Sequence, residues 1–492
     1  MCYKRILLFV VVFHFIFGKV NSLQDTTFIN IGVMGSYTTP GKVPFWMRSN
    51  QYGSLPLDNL SVSLISSLYK DYSHTKNTLI DWGAAVEGRL NVGKKLNFNL
   101  IEGYGKLRIS VFEIRAGRSK DIMGLCDTSL TSGAFAVSGN APGIPKVEVS
   151  ILQYYTLPFL GKLFAFKGNY SHGWIGEIKV NMMDNSKTTL KTYLHQKSLY
   201  GRFGKPEWKW KLYGGFNHQV FWGNEKQYYG SNYTLSDWEC YYYIVTGKPY
   251  GTDSIPSSKI GNHIGSIDIA YEYNFKNVGL LAYHQFFYDV GALYHLANLR
   301  DGLTGISLVN KHVSDRAFCW NKILAEFFYS INQAGELWSP PTPSGDENYY
   351  NSDQYVQGWS YNETGLGNPF VGTRTYIKEG LPADPGDYFI NNRVAAFHLG
   401  CEGSLYEWKY IVKASYSMNY GTFGTSEVGH TLGKIRYLPM YGIFNRTDQF
   451  SSYIEGKKEL KNKFNLCIIA AFDLGNLYYN SLGLAVMVSR SF

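Results

Sequence analysis

Residues able to do covalent chemistry are present in this chain, but their spacing serves no familiar reaction. Asp346 and Glu347 are adjacent acids in a stretch rich in Gly and Pro, where solvation accounts for them. A glycosidase needs two carboxylates facing each other across the bond it cuts, and the sequence marks out neither such a pair nor a Ser/His couple. His284 and His295 have no carboxylate placed to complete a metal set. The nucleophile elbow GxSxG, the phosphate loop GxxxxGKS/T and the zinc helix HExxH are all absent. Of the six cysteines, Cys2 falls in an N-terminal apolar stretch. Cys126, Cys240, Cys319, Cys401 and Cys467 remain, an odd set without CxxC spacing, so no disulfide scaffold, zinc ribbon or redox pair is expected. The chain reads as a non-enzyme with no cofactor and no metal.

The elements that would position any other site are strands. The last twelve residues, SLGLAVMVSRSF, alternate to the final side chain. Leu482, Leu484, Val486 and Val488 lead to Arg490 and Phe492 on one face, while Ser481, Gly483, Ala485, Met487 and Ser489 take the other. The same period recurs upstream. In WKWKLYGGFNH, Trp208, Trp210, Leu212 and Phe216 share a face; in SIDIAYEYNF, Ile267, Ile269, Tyr271 and Tyr273 do. YEWKYIVKASYSMNY and NKFNLCIIAAF repeat it. These strands are longer than the ~5–6 residues usual in soluble sheets, and Tyr and Trp crowd their ends.

Composition agrees. Charged residues are 17% against the ~25% of soluble domains, and aromatics reach 16%. Such long, alternating, aromatic-flanked strands point to an all-β fold: a transmembrane antiparallel β-barrel of the outer-membrane type, the only strand structure that leaves no unpaired edge in hydrocarbon. Its length suits about 16–18 strands. Lys4 and Arg5, the apolar run 6–17 and a small-residue exit at 18–22 read as a signal peptide over 1–22, too short to span a bilayer. Residues 23–492 are then the barrel. An N-terminal periplasmic segment is expected over about 23–75, where Leu60, Leu64, Ile65 and Leu68 fit a short amphipathic helix, though a strand fits nearly as well. Gly-, Pro- and Asn-rich stretches at 223–262 and 332–390 read as long loops, which in a barrel face outward from the cell. The expected place is the outer membrane of a Gram-negative bacterium. Net charge falls from +9 to +6 without Lys4, Arg5 and Lys19, too mild and dispersed for nucleic acid.

One set of segments is more particular: PFWMRSNQYGSLP (44–56), RAGRSKDIMG, LTSGAFAVSGNAPGIPKVEVSI, GNYSHGWIG, YLHQKSLYGRFG, GGFNHQVFWGN, YVQGWSYNETGLGNPF and NRTDQFSSYIE. In order and spacing they resemble the Wzi-like capsule assembly family of outer-membrane proteins, in its Bacteroidetes form, from about residue 30 to the C-terminus. Asn224 stands where a second glycine often follows Trp-Gly in that family. The resemblance implies a barrel with a small helical periplasmic part and a lectin-like role in attaching capsular polysaccharide. A terminal strand ending in an aromatic likewise resembles the signal read by the barrel-insertion machinery. Expected partners are therefore capsular or other surface polysaccharide, outer-membrane lipid and that machinery.

The side chains agree with a sugar ligand. Aromatic rings stack on pyranose faces, while amides, His and Arg bind hydroxyls and carboxylates. Trp46 with Asn50 and Gln51, Arg118 with Lys120, His172 with Trp174, His195 with Gln196, and His218 with Trp222 supply such sets. Each has a plainer role: the tryptophans as girdle aromatics, Arg118 as a lumen charge paired with Asp121 or Glu113, His195 as interior lining. The alternative function is a general porin or transporter for small solutes, which needs an open lumen with a charged constriction.

Overall fold

Period-two alternation becomes one closed antiparallel sheet of 18 strands. The computed structural model describes residues 26–39, 42–73, 78–289, 298–312, 317–333, 347–426, 431–432, 435–436 and 439–492; the stretch 1–22 read as a signal peptide lies outside them. In chain order the first six strands are β1 (Thr27–Thr38), β2 (Leu60–Lys70), β3 (Ile80–Val92), β4 (Leu96–Ile109), β5 (Phe112–Arg118) and β6 (Lys146–Thr156). Then come β7 (Phe164–Asn181), β8 (Lys187–Phe203), β9 (Trp210–Trp222), β10 (Asn262–Asn274), β11 (Val278–Asp289) and β12 (Gly302–Asn310). The last six are β13 (Phe318–Tyr329), β14 (Val394–Leu405), β15 (Trp408–Asn419), β16 (Thr447–Glu459), β17 (Phe464–Gly475) and β18 (Ser481–Ser491). Pairing of β18 with β1, Leu484 opposite Tyr37 and Val488 opposite Val33, closes the sheet and leaves no edge.

The two faces differ as the alternation requires. On β18, Leu482, Leu484, Val486 and Val488 point outward and are 42–48% exposed, while Gly483 and Ala485 point into the lumen. Leu212, Phe216, Ile267, Ile269, Phe397, Leu399, Ile468 and Phe472 continue that outer apolar belt around the wall, the surface a barrel presents to hydrocarbon. Arg490, on the belt face near the strand end, lies over the rings of Phe464 and Phe492, 5.3 and 4.8 Å from their centroids. There its charge is near an interface and its stem lies against apolar surface.

The barrel has two unlike ends. One carries short turns, such as 110–111, 275–277 and 406–407; the other carries the long connections 39–59, 119–145, 223–261, 330–393 and 420–446. We call these the turn end and the loop end. The stretches read as long loops are such connections, but the first also holds two helices, α2 (Glu225–Tyr229) and α3 (Asp237–Thr246).

The expectation for 23–75 needs correction. Leu60, Leu64, Ile65 and Leu68 lie in strand β2, not in a helix, because each alternate residue pairs across to β1 and β3 in register. Both β1 and β2 are wall strands, so no separate periplasmic segment stands among the described residues of 23–75. The helical turn of this region is α1 (Phe45–Arg48), in the connection between them at the loop end.

That connection folds into the lumen and meets 119–145 and 347–392 there. Phe45, Trp46, Phe135, Trp359, Phe370 and Phe389 join one buried cluster inside the wall. Inward wall residues tie it down: Asp473 accepts from Phe45 N at 2.8 Å, Asp268 from Leu125 N at 2.8 Å, and Glu326 from Ser132 N at 2.6 Å. A side chain at Gly483 would force α1 to shift, since a Cβ there would sit 2.6 Å from Met47 Sδ and 3.0 Å from Pro44 Cδ. The result is a plug across the barrel.

Candidate functional site

The plug's loop-end surface is made by the segments whose order was particular in the sequence. Tyr52 N donates to Gly139 O at 2.8 Å and Gly53 N to Asn140 O at 2.9 Å, joining 44–56 to 119–145. Gly53 has φ +58°, and a Cβ on it would meet Pro142 Cδ at 2.9 Å, so both backbone and space call for glycine. Trp359 Nε1 donates to Ala136 O at 2.7 Å, and Asn140 Nδ2 to Gly365 O at 3.0 Å, bringing in the third segment. Its hairpin turns on Asn362 and Glu363, both with positive φ, a two-residue turn whose twist suits antiparallel strands. Tyr52, pushed up to about 12 by burial and by the Asp121, Glu102 and Glu87 carboxylates, keeps its phenol proton beside this junction.

Above the junction opens a cavity of about 560 Å³. The first connection gives it Arg48, Leu57 and Asp58; the β3–β4 hairpin gives Asn91, Lys94, Lys95, Asn97 and Asn99; the plug gives Asn140, Asn362, Glu363 and Tyr376. Asp58 accepts from Lys94 N at 2.9 Å, fixing the hairpin tip. Arg48 lies 3.9 Å from the ring centre of Tyr376. A smaller cavity of about 150 Å³, lined by Lys42, Arg48, Tyr376, Tyr478 and Tyr479, continues from it. Lys42, Arg48, Lys94 and Lys95 make no ion pair among the described residues. Amides, cations and tyrosine rings around one concave surface can hold hydroxyls, carboxylates and pyranose faces. Among the described residues, no arrangement there offers a nucleophile with its base.

The residues singled out from sequence fall into two other places. Trp46 is 2% exposed inside the plug. Its Nε1 donates to Ser415 Oγ at 2.9 Å; Ser415 Oγ lies 2.8 Å from His398 Nδ1, and His398 Nε2 donates to Leu130 O at 2.8 Å. Trp46 is thus a plug anchor rather than a ring offered to a polymer. Asn50 N donates to Asn140 Oδ1 and Asn50 Nδ2 to Ser132 O, and Gln51 O accepts from Ser54. Those contacts hold the turn. Arg118 donates to Leu100 O at 2.9 Å and Tyr361 Oη at 3.0 Å, so its partners are not Asp121 or Glu113.

His172, Trp174, His195 and Trp222 do come together, but on the outside of the wall. The His172 ring lies 5.1 Å from Trp174, 5.7 Å from Trp222 and 6.2 Å from Tyr241 of α3; His195 lies 5.9 Å from Tyr241. His195 is fully buried on the outer face, under α3, and does not line the interior. Asn224 donates to Thr192 Oγ1 and accepts from Tyr355, tying the wall to the plug. Sequence reading missed Arg48, Lys94, Lys95, Asn97 and Asn362. The Gly93-Lys94-Lys95 turn and the Asn362-Glu363 turn were the available signals.

Comparison with known proteins agrees on the fold. No protein-family model matches the chain, and neither does any curated protein. Among solved structures, Wzi, an outer-membrane protein involved in group 1 capsule assembly in Escherichia coli and a carbohydrate-binding β-barrel, is similar. Its TM-score is 0.51 at 10% identity, with 93% of this chain and 83% of that chain covered. OccK9 (OpdG) of Pseudomonas aeruginosa gives a TM-score of 0.45 at 8% identity over 96% of this chain and all of that one. OccAB2 of Acinetobacter baumannii gives 0.45 at 9% over 96% and 99%. The feature shared with the Wzi structure is the closed outer-membrane-type barrel.

Proposed function

We propose that this chain is an outer-membrane β-barrel that binds capsular or other surface polysaccharide at its loop end and retains it without catalysis. Outer-membrane barrels keep short turns in the periplasm and long loops outside, so the loop end then faces the surroundings of the cell. The observation that carries the reading is the amide- and cation-lined cavity seated on a plug rather than on an open lumen. Carbohydrate binding by the Escherichia coli Wzi barrel is carried over to this chain only as part of this proposal. A porin or transporter needs a continuous polar path; the aromatic plug core favours binding over passage.

The test is to measure binding of the purified, refolded barrel to its host's own capsular polysaccharide and to an unrelated one, with conductance recorded in a planar bilayer. Selective binding with a closed lumen is the expected result. Steady conductance with no binding would replace this reading by the porin.

A further inference from the structure

The 223–261 connection does not cover the mouth of the barrel; it folds down the outside of the wall. Outer-face residue Val220 is buried with Cys240 and Ile244 of α3 and with Tyr250, Ile255 and Ile260 of the same connection. Lys197 Nζ donates to Val245 O. The Tyr170 and Tyr241 hydroxyls lie 2.7 Å apart. Helix α3 is well founded there: Ser236 and Glu239 form a reciprocal cap at its start, and Gly247 ends it in the left-handed region.

What α3 covers is unusual for an outer wall. His195, Lys197 and His218 point outward from β8 and β9, and His218 Nε2 lies 2.9 Å from His263 Nδ1. Counting from Phe203 at the turn end, a crossing of ~10 residues reaches past Lys197 and His195. On uncovered strands that span would meet hydrocarbon, where a lysine is costly. Just below on the same strands, Leu199, Leu212 and Phe216 are exposed members of the apolar belt. On its own outer side α3 displays Trp238, 82% exposed, and Tyr242, 56% exposed, with Trp174 of β7 nearby at 47%.

We infer that this connection is an apron lying in the interface of the outer leaflet, with Trp238 and Tyr242 seated among lipid headgroups and upper acyl chains and with α3 shielding the polar outer face of β8 and β9. The occupant of its outer surface is lipid. The helix that displays Trp238 and Tyr242 is joined to the outer wall where Tyr241 meets half-exposed Tyr170, and Trp and Tyr are the side chains that concentrate at membrane–water interfaces. The inference rests on the outer-membrane part of the proposed function and not on sugar binding.

The test uses nitroxide labels at Trp238→Cys and Tyr242→Cys in the full barrel, reconstituted in vesicles containing phosphatidylcholine and lipopolysaccharide. The background carries Cys126→Ser, Cys240→Ser, Cys319→Ser, Cys401→Ser and Cys467→Ser. Val486→Cys on the belt and Asn362→Cys at the cavity serve as references. Collision with oxygen is expected to exceed collision with a water-soluble nickel chelate at 238 and 242, as at 486, with the reverse at 362. Chelate-dominated signals at 238 and 242, with 486 still in lipid, overturn the apron and leave the barrel reading intact. Aqueous signals at all four overturn both. A second measurement keeps the cysteines: chain-brominated lipid should quench more fluorescence in the unsubstituted protein than in Trp238→Phe, and equal quenching contradicts the apron.

Discussion

Two cavities of nearly equal size lie on opposite sides of the plug, and their charges are handled in opposite ways. The loop-end cavity, about 560 Å³, presents exposed Lys94 and Lys95 and half-buried Arg48, none in an ion pair among the described residues, among asparagine amides. The turn-end cavity, about 600 Å³, is lined by charged groups that are already in ion pairs. There Lys106 meets Asp71 at 2.7 Å, and Tyr72 donates to Glu113 at 2.8 Å while lying under Lys106 and Arg108. The wall above it repeats the pattern, with Lys146 between Asp121 and Glu148 at 2.8 and 3.0 Å. Equal volume does not make equal sites: a surface whose charges are spent on each other is structural, and one whose donors remain available can take a ligand.

Substitutions should separate the two sides. The largest effect is expected from Lys146→Met, which leaves buried Glu148 and half-buried Asp121 without the cation between them and should cost about 3–5 kcal/mol in urea-unfolding measurements, with polysaccharide affinity in the refolded protein unchanged. Trp46→Ala attacks the partition itself. It removes a buried indole and its bond to Ser415, worth about 3–5 kcal/mol of plug packing, and should bring conductance in a planar bilayer where the parent shows none.

Effects in the loop-end cavity should be on binding alone. Lys94→Ala with Lys95→Ala, both at an exposed tip, should weaken polysaccharide binding about tenfold by calorimetry and leave the unfolding midpoint within about 0.5 kcal/mol. Asn97→Ala should cost about one hydrogen bond, ~1 kcal/mol or about fivefold in affinity.

The last effect concerns pH and touches stability rather than binding. Burial pushes Asp387, which accepts from Thr422 and Asn348, up to about 6 from 3.8. The folded chain thus holds this proton more tightly than the unfolded chain does. Its contribution is fully present below 3.8 and is lost as pH rises to about 6. Urea midpoints should fall across that window, by about 1–3 kcal/mol at most, and Asp387→Asn should flatten the fall.

The wall was legible because each strand residue has one neighbour pattern and two faces. Leu482 to Val488, Leu212 and Phe216, and Ile267 and Ile269 declared the outer face in their parity alone. The same parity places His195 and Lys197 outside, since they share odd positions with outward Leu199; a reading that put His195 indoors missed that signal because polar side chains on an outer face are unexpected until something covers them. The plug was legible as segments but not as a site. Residues 44–56, 130–145 and 355–370 meet through backbone bonds such as Tyr52 N to Gly139 O, which no period in the sequence encodes. Arg48, Lys94 and Asn362 become neighbours only because β1, β2 and β3 are adjacent and the plug hairpin turns toward them. Aromatic residues drew the eye to Trp46, yet large rings fill cores more readily than they line wet grooves.

The central claim is that sugar is held in the loop-end cavity and not at the aromatic cluster on the outer wall. One titration decides it: polysaccharide binding to the unsubstituted barrel, to Lys94→Ala with Lys95→Ala and Asn97→Ala combined, and to Trp174→Ala with His172→Ala combined. The account expects the first combination to lose most of the affinity and the second to keep it. Full affinity in the cavity variant with loss in the wall variant would contradict the assignment and move the site outside the barrel.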